Sequence, residues 1–178
     1  MIAIVAAIVG VVVLGTLACT ALVNYAVEDG AGDPPVRPTP STEIPTAATG
    51  LNRTVRDGRL AFAVTAVECG IDRVGDDVLN EQAEGQFCQV SLTVTNHGDE
   101  ARTFFGTTQY AYDAAGQKHE IDSAGMIYLD EEISLAREDI EPGGSVDGVV
   151  LFDIPNDASI VKLELHDSLF STGATVTL

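Results

Sequence analysis

His166, Asp167 and Ser168 stand in a row and carry the residue types of a hydrolase relay: a base, an orienting carboxylate and a hydroxyl nucleophile. Consecutive residues at a strand end point in different directions, so these three cannot relay a proton among themselves. Their expected role is a strand-end turn in which Asp167 or Ser168 caps backbone groups. No Gly-Xaa-Ser-Xaa-Gly elbow and no glycine-rich phosphate loop occurs. His97 and His119 are isolated and read as surface histidines. These residues predict no enzyme, no catalytic residue and no cofactor.

Cys69 and Cys88 form an even pair in a strand-rich segment that is expected to be exported, which reads as a disulfide. Closing a loop of about 20 residues contributes about 3 kcal/mol in the chain-entropy account. The alternative is two buried free thiols. No further Cys or His stands at ligand spacing, so a zinc site is disfavoured.

Two acidic groups could do other chemistry. Asp72, Asp76, Asp77, Glu81 and Glu84 crowd one segment, and Asp130, Glu131, Glu132, Glu138, Asp139 and Glu141 another. Neither has EF-hand spacing, so both read as solvated loops; the alternative is a calcium-binding structural protein of the cell surface. The whole chain holds 27 Asp and Glu against 9 Lys and Arg, a formal net charge of −18. That field repels phosphate backbones and, with no polybasic cluster, anionic bilayer surfaces, which excludes nucleic acid as a partner.

The elements that place these residues begin with an apolar run. Met1–Val23 carries no charged side chain, and Ile2–Val23 is long enough to cross a hydrocarbon core of about 30 Å as a helix. Residues 1–27 are expected to be a transmembrane anchor or signal segment, leaving a single-pass protein of the cell membrane with its C-terminal domain outside the cell. Two alternatives stay open: a lipoprotein with lipid on Cys19 in the box Thr16-Leu17-Ala18-Cys19, and a cleaved secretory peptide. Against the lipoprotein, Thr16 replaces the usual large aliphatic residue, and Thr20–Val23 stays apolar after the cysteine. No Lys or Arg precedes the run, a departure from the positive-inside rule. Residues 28–53, with Pro34, Pro35, Pro38, Pro40 and Pro45 among Thr and Ser, read as an extended spacer.

Residues 54–178 then form one domain of about 125 residues, enough for one core. Leu60, Phe62, Val64 and Ala66 alternate with smaller or polar partners before the phase shifts at Val67 and Cys69, which predicts a bulge. Cys88, Val90, Leu92 and Val94 oppose Gln89, Ser91, Thr93 and Thr95, the pattern of a half-buried antiparallel strand. Further strands are expected at Thr103–Phe105, Gln109–Asp113, Lys118–Asp122, Met126–Leu129, Ser145–Asp153, Ile160–His166 and Ala174–Leu178. About seven to nine strands, with turn signals at regular spacing and no amphipathic helix, predict an all-β, immunoglobulin-like antiparallel β-sandwich.

Val67-Glu68-Cys69-Gly70, Phe87-Cys88 followed by Leu92-Thr93-Val94-Thr95-Asn96, Arg102-Thr103-Phe104-Phe105, Tyr112-Asp113 with Gly116, Pro142-Gly143 before Val150-Leu151-Phe152-Asp153-Ile154-Pro155, and Leu163–Ser168 with Phe170-Ser171 occur in order. As an ordered set they resemble the exported domain-of-unknown-function family DUF4352, which includes the mycobacterial immunoprotective extracellular protein. The resemblance spans about Val55 to Leu178. It implies an immunoglobulin-like sandwich behind an N-terminal anchor and linker, with the Glu-Cys-Gly and Phe-Cys pieces as its disulfide pair. It implies no catalytic residues.

The expected function is a membrane-anchored extracytoplasmic interaction module whose partner is an unknown protein or cell-envelope ligand. Adjacent Phe104 and Phe105 cannot both point inward from a regular strand. One aromatic from this region (Phe104, Phe105, Tyr110, Tyr112 or Tyr128), with the acidic 130–141 loop beside it (Asp130, Glu131, Glu132), forms the expected contact patch for a basic partner.

Overall fold

A computed structural model describes residues 44–178. The expected anchor, the lipidation candidate Cys19 and linker residues 28–43 lie outside the described residues. Among the described residues no helix is long and apolar enough to cross a membrane.

Eleven strands, a 3-10 turn (Gly106–Thr108) and one short α-helix make up the described residues: β1 (Ala47–Thr49), β2 (Thr54–Asp57), β3 (Leu60–Gly75), β4 (Asn80–Asn96), β5 (Arg102–Phe105), β6 (Tyr110–Asp113), β7 (Lys118–Glu120), α1 (Ser123–Ile127), β8 (Arg137–Ile140), β9 (Ser145–Ile154), β10 (Ile160–Leu165) and β11 (Ala174–Thr177). They form a five-stranded sheet, β1-β11-β10-β6-β7, a four-stranded sheet, β2-β3-β4-β9, and a two-stranded sheet, β5-β8. This is an all-β sandwich.

Its core follows from the period-two pattern. Phe62 and Val64 on β3, Val90, Leu92 and Val94 on β4, Val150 and Phe152 on β9, and Leu163 and Leu165 on β10 are all buried in one cluster with β6 and β11 residues. Because successive side chains leave a strand on opposite faces, the residues between them face elsewhere. Phe87 and Leu151 use that outer face, burying themselves with Val74, Met126 and Leu129 in a second cluster. This explains why Phe87 and Cys88, adjacent in sequence, are both fully buried. The β3–β4 register slips between Val64 and Ala66, ahead of the phase shift expected at Val67 and Cys69.

Cys69 and Cys88 are joined in a disulfide between these two strands. Cys88 is fully buried in phase with Val90, whereas Cys69 is exposed.

Several boundaries differ from expectation. Residues 47–49, read as linker, form β1 and pair in parallel with β11, Ala48 opposite Val176. Backbone pairing and the packing of Ala48 on the core hold this strand, and its small and polar side chains leave no periodic signal. Met126–Leu129, expected as a strand, instead runs from the end of α1 into a turn. Asp122 begins that helix by accepting the Gly125 N–H at 2.5 Å, and a short apolar run cannot by itself separate helix from strand. The acidic stretch read as loop contains β8, which pairs with β5 and brings the strand count above nine.

Candidate functional site

The residues that suggested a relay fall at the end of β10, and the structure separates their roles. Asp167 closes a buried polar network. Its Oδ1 accepts from Arg102 Nε at 3.1 Å and Nη2 at 2.7 Å, and its Oδ2 accepts the Arg59 N–H at 3.0 Å. Its own N–H donates to Asp57 Oδ2 at 2.8 Å. The Asp57-Gly58 turn that joins β2 to β3 is thereby pinned to the chain leaving β10. Gly58 has φ of +56°, and a Cβ there would collide with Asp167 Oδ2. Glycine is required on both counts. Asp167 is thus a backbone cap, as expected of the strand-end turn.

His166 meets different partners. Its Nε2 lies 2.9 Å from Glu164 Oε1, and its Nδ1 lies 3.2 Å from the Ser171 carbonyl and 3.4 Å from Ser171 Oγ. Ser171 Oγ donates to the Ser168 carbonyl at 2.8 Å and accepts the Ser168 N–H at 3.2 Å. The shorter contact of the Ser171 hydroxyl is to the Ser168 carbonyl, with His166 Nδ1 the more distant neighbour. The Tyr110 ring stands edge-on to His166 at 5.5 Å between centroids. On the same sheet Tyr112 donates to Glu164 Oε2 at 3.3 Å; burial and the Glu164 carboxylate push its hydroxyl above the ordinary value of 10.0.

What these contacts build is a braced turn. Ser168–Ser171 closes through the Ser171 N–H to Ser168 carbonyl bond at 3.1 Å. Asp167 fixes one end and His166 packs beneath. Gln109 locks the approach, its Oε1 accepting the His166 N–H at 2.7 Å while its Nε2 donates to the His166 carbonyl at 3.0 Å. At the tip, Leu169 is 73% and Phe170 97% exposed. Both border a groove of about 370 Å³ whose other wall includes Arg102, Thr103 and Phe105.

The expected contact patch is only partly assembled. Phe104 is fully buried, its ring 6.3 Å from that of Phe62, so it belongs to the core and leaves the surface to Phe105. Phe105 is 42% exposed, opposite Arg137 in the β5–β8 register. Glu138 and Asp139 lie beside it on β8, where Thr103 Oγ1 donates to Asp139 Oδ1 at 2.6 Å. Asp130, Glu131 and Glu132 do not line its groove. Asp130 borders a separate groove with Arg73 and Asp76, and Glu132 another with Ile133 and Asp147.

The acidic residues near the β3–β4 hairpin have local duties. Asp76 Oδ1 accepts from Val78 N at 2.7 Å and Leu79 N at 2.6 Å. The Leu79 bond, then the Val78 bond, holds its carboxyl below the ordinary 3.8. Asp77 pairs with Arg73 at 3.4 Å across solvent. Among the described residues no three His, Cys, Asp or Glu side chains converge to hold a metal ion.

His119 corrects a further expectation. Far from being a surface residue, it is 7% exposed, its Nε2 3.1 Å from Asp113 Oδ2. Asp113 Oδ1 accepts the Gln117 N–H at 2.8 Å. That bond, with help from His119 and against the opposing effect of burial, holds the Asp113 carboxyl below 3.8. The signal was present in sequence: Lys118 and Glu120 flank His119 on a strand, and alternation turns the middle residue inward.

No curated relative matches the chain in sequence. Among solved structures, the yjhA protein from Bacillus subtilis is similar with a TM-score of 0.53 at 17% identity, over 72% of this chain and 97% of that one. The secreted protein MPT63 from Mycobacterium tuberculosis is similar with a TM-score of 0.50 at 15% identity, over 70% of this chain and 93% of its own. Both likenesses concern the fold. A family model described as a domain of unknown function matches residues 49–175, nearly the whole sandwich and both bridged cysteines, and the chain belongs to that family, DUF4352.

Proposed function

We propose that this domain is a non-catalytic, immunoglobulin-like binding module displayed outside the cell and tethered by its apolar N-terminal run. It grips a protein ligand through the Ser168–Ser171 turn and Phe105. The observation that carries this reading is the bracing of that turn: buried Asp167 and His166 hold two large apolar side chains, Leu169 and Phe170, out in water. Exposed apolar side chains on a rigid support cost little ordering entropy when a partner covers them. The two-sheet layering with its parallel β1–β11 edge supports the immunoglobulin-like assignment. The apolar run Met1–Val23, the extracytoplasmic disulfide chemistry and the secreted mycobacterial protein of similar fold support display outside the cell.

Photo-crosslinking from position 170 of the full chain on intact cells tests the proposal. The expected result is one discrete protein adduct, lost in a Leu169→Ser variant that keeps the wild-type melting temperature. Crosslinks to lipid alone, or an adduct unaffected by the variant, would overturn it.

A further inference from the structure

Away from the Phe105–Phe170 groove, three large apolar side chains stand in water: Val78 at 85% and Leu79 at 65% exposure on the β3–β4 turn, and Ile127 at 79% at the end of α1. A lone exposed apolar residue is ordinary. Leu79 and Ile127, however, line one groove of about 630 Å³, together with Asp76, Tyr128 and Asp130. Ile127 also borders a slot of about 180 Å³ walled by Ile121, Met126 and Ala136. The slot presents almost only carbon, and its volume suits one side chain rather than a whole small-molecule ligand. Ile127 is thus a ridge between an apolar slot and a polar groove. Neither shares a lining residue with the Phe105–Phe170 groove.

Both sides of the ridge are preformed. Met126, next to Ile127, is buried with Phe87 and Leu151, which seats α1 on β4 and β9. The seat is close: a Cβ at Gly125 would lie 2.5 Å from Leu151 Cδ2, an approach that glycine permits. Across the groove, Asp76 holds the backbone of Val78 and Leu79 by their N–H groups. Apolar groups on such supports lose little freedom when a partner covers them.

Charge decides what can cover this face. Arg73 also lines the groove, but its guanidinium pairs with Asp77 at 3.4 Å. Neither Asp76 nor Asp130 forms an ion pair among the described residues, so both stay open to a cation. A second copy of the chain, with its formal charge of −18, would bring charge of the same sign, as would an anionic bilayer. We propose that this face docks a basic peptide segment of a partner protein. One aliphatic side chain of the segment fills the slot, and a neighbouring lysine or arginine crosses Ile127 to meet Asp76 and Asp130. The slot supplies the anchor, and the carboxylates select the sign of the flanking residues. The site stands whether or not the Phe170 turn binds a partner.

The probe is the peptide Lys-Lys-Leu-Lys-Lys, blocked at both ends and titrated at low salt into the full chain held in phosphatidylcholine nanodiscs. Binding is read from the Ile127 δ1 and Met126 ε methyl resonances, both of which should move. Serine in place of the peptide's leucine, or Ala136→Leu at the exposed edge of the slot, should weaken binding about tenfold, the scale of burying one aliphatic side chain. Asp130→Asn should weaken it about threefold, and Glu131→Gln, outside the groove, hardly at all. Methyl signals unmoved by millimolar peptide would overturn the site, as would binding unchanged by the serine or by the blocked slot. Equal losses in Asp130→Asn and Glu131→Gln, or equal binding of Glu-Glu-Leu-Glu-Glu, would overturn the basic assignment. Methyl shifts that follow protein concentration without peptide would give the face to a second copy. Broadening of the same signals by spin-labelled lipid would give it to the membrane, and either result overturns the proposal.

Discussion

Asp167→Ala should both destabilise the sandwich and free the turn that carries Leu169 and Phe170. The carboxylate is 6% exposed and accepts two bonds from Arg102 and one from the Arg59 amide. Truncation leaves the Arg59 N–H without its acceptor, which costs about 1–3 kcal/mol when the group is buried. It also breaks a charge-assisted pair with Arg102, but that guanidinium is 33% exposed and water replaces part of the loss. The sum is about 2–4 kcal/mol, below the full cost of orphaning a buried charge. With a urea dependence of about 2 kcal/mol per molar for a domain of this size, the midpoint should fall by about 1–2 M with an unchanged slope. Asp167→Asn keeps one acceptor oxygen and should fall between the two. Chymotrypsin should cut the Ala variant at Leu169 or Phe170 well before global unfolding, because the brace under the turn has gone. A loss under about 0.5 kcal/mol, the range of ordinary surface changes, would refute the reasoning, as would a turn that stays protected.

Phe104→Ala should cost about 3–5 kcal/mol in chemical denaturation by leaving a cavity beside Phe62, while Phe105→Ala should stay within about 1 kcal/mol; equal costs would contradict the inward and outward assignment. The Asp76 carboxyl, followed by carbon-13 NMR, should titrate below 3.8. Since its folded-state value is depressed, the turn's stabilisation by Asp76 is present above 3.8 and is lost as pH falls through the lower folded value. Asp76→Asn should therefore lower stability at neutral pH and converge on wild type in acid; a midpoint at or above 3.8 would refute it.

Much of the architecture was legible in the sequence because period-two alternation is a local consequence of strand geometry. Cys88, Val90, Leu92 and Val94 announce a half-buried strand with no knowledge of its neighbours, and all four are buried. The disulfide was legible from parity and compartment, and a bulge near Ala66 from a change of phase, though it falls just before that residue. The short pieces were not. Strand β1 pairs with β11, more than a hundred residues away, and β8 with β5, and each gives the core a single apolar side chain, Ala48 and Ile140, too few to make a pattern. Phe104 and Phe105 showed that one aromatic must face out; only the packing against Phe62 decided which. The candidate sites depended still more on tertiary structure. Asp57, Arg59, Arg102 and Asp167 are scattered along the chain, and no spacing rule links them. Their convergence comes from sheets that bring distant turns to one end of the sandwich. The sequence by itself determined the long strands, the charge and the bridge, because those follow from neighbours and composition. Tertiary structure alone decided that Asp167 braces a turn, that His119 is buried against Asp113, and which carboxylates share a groove, because these are distances between residues the chain order keeps apart.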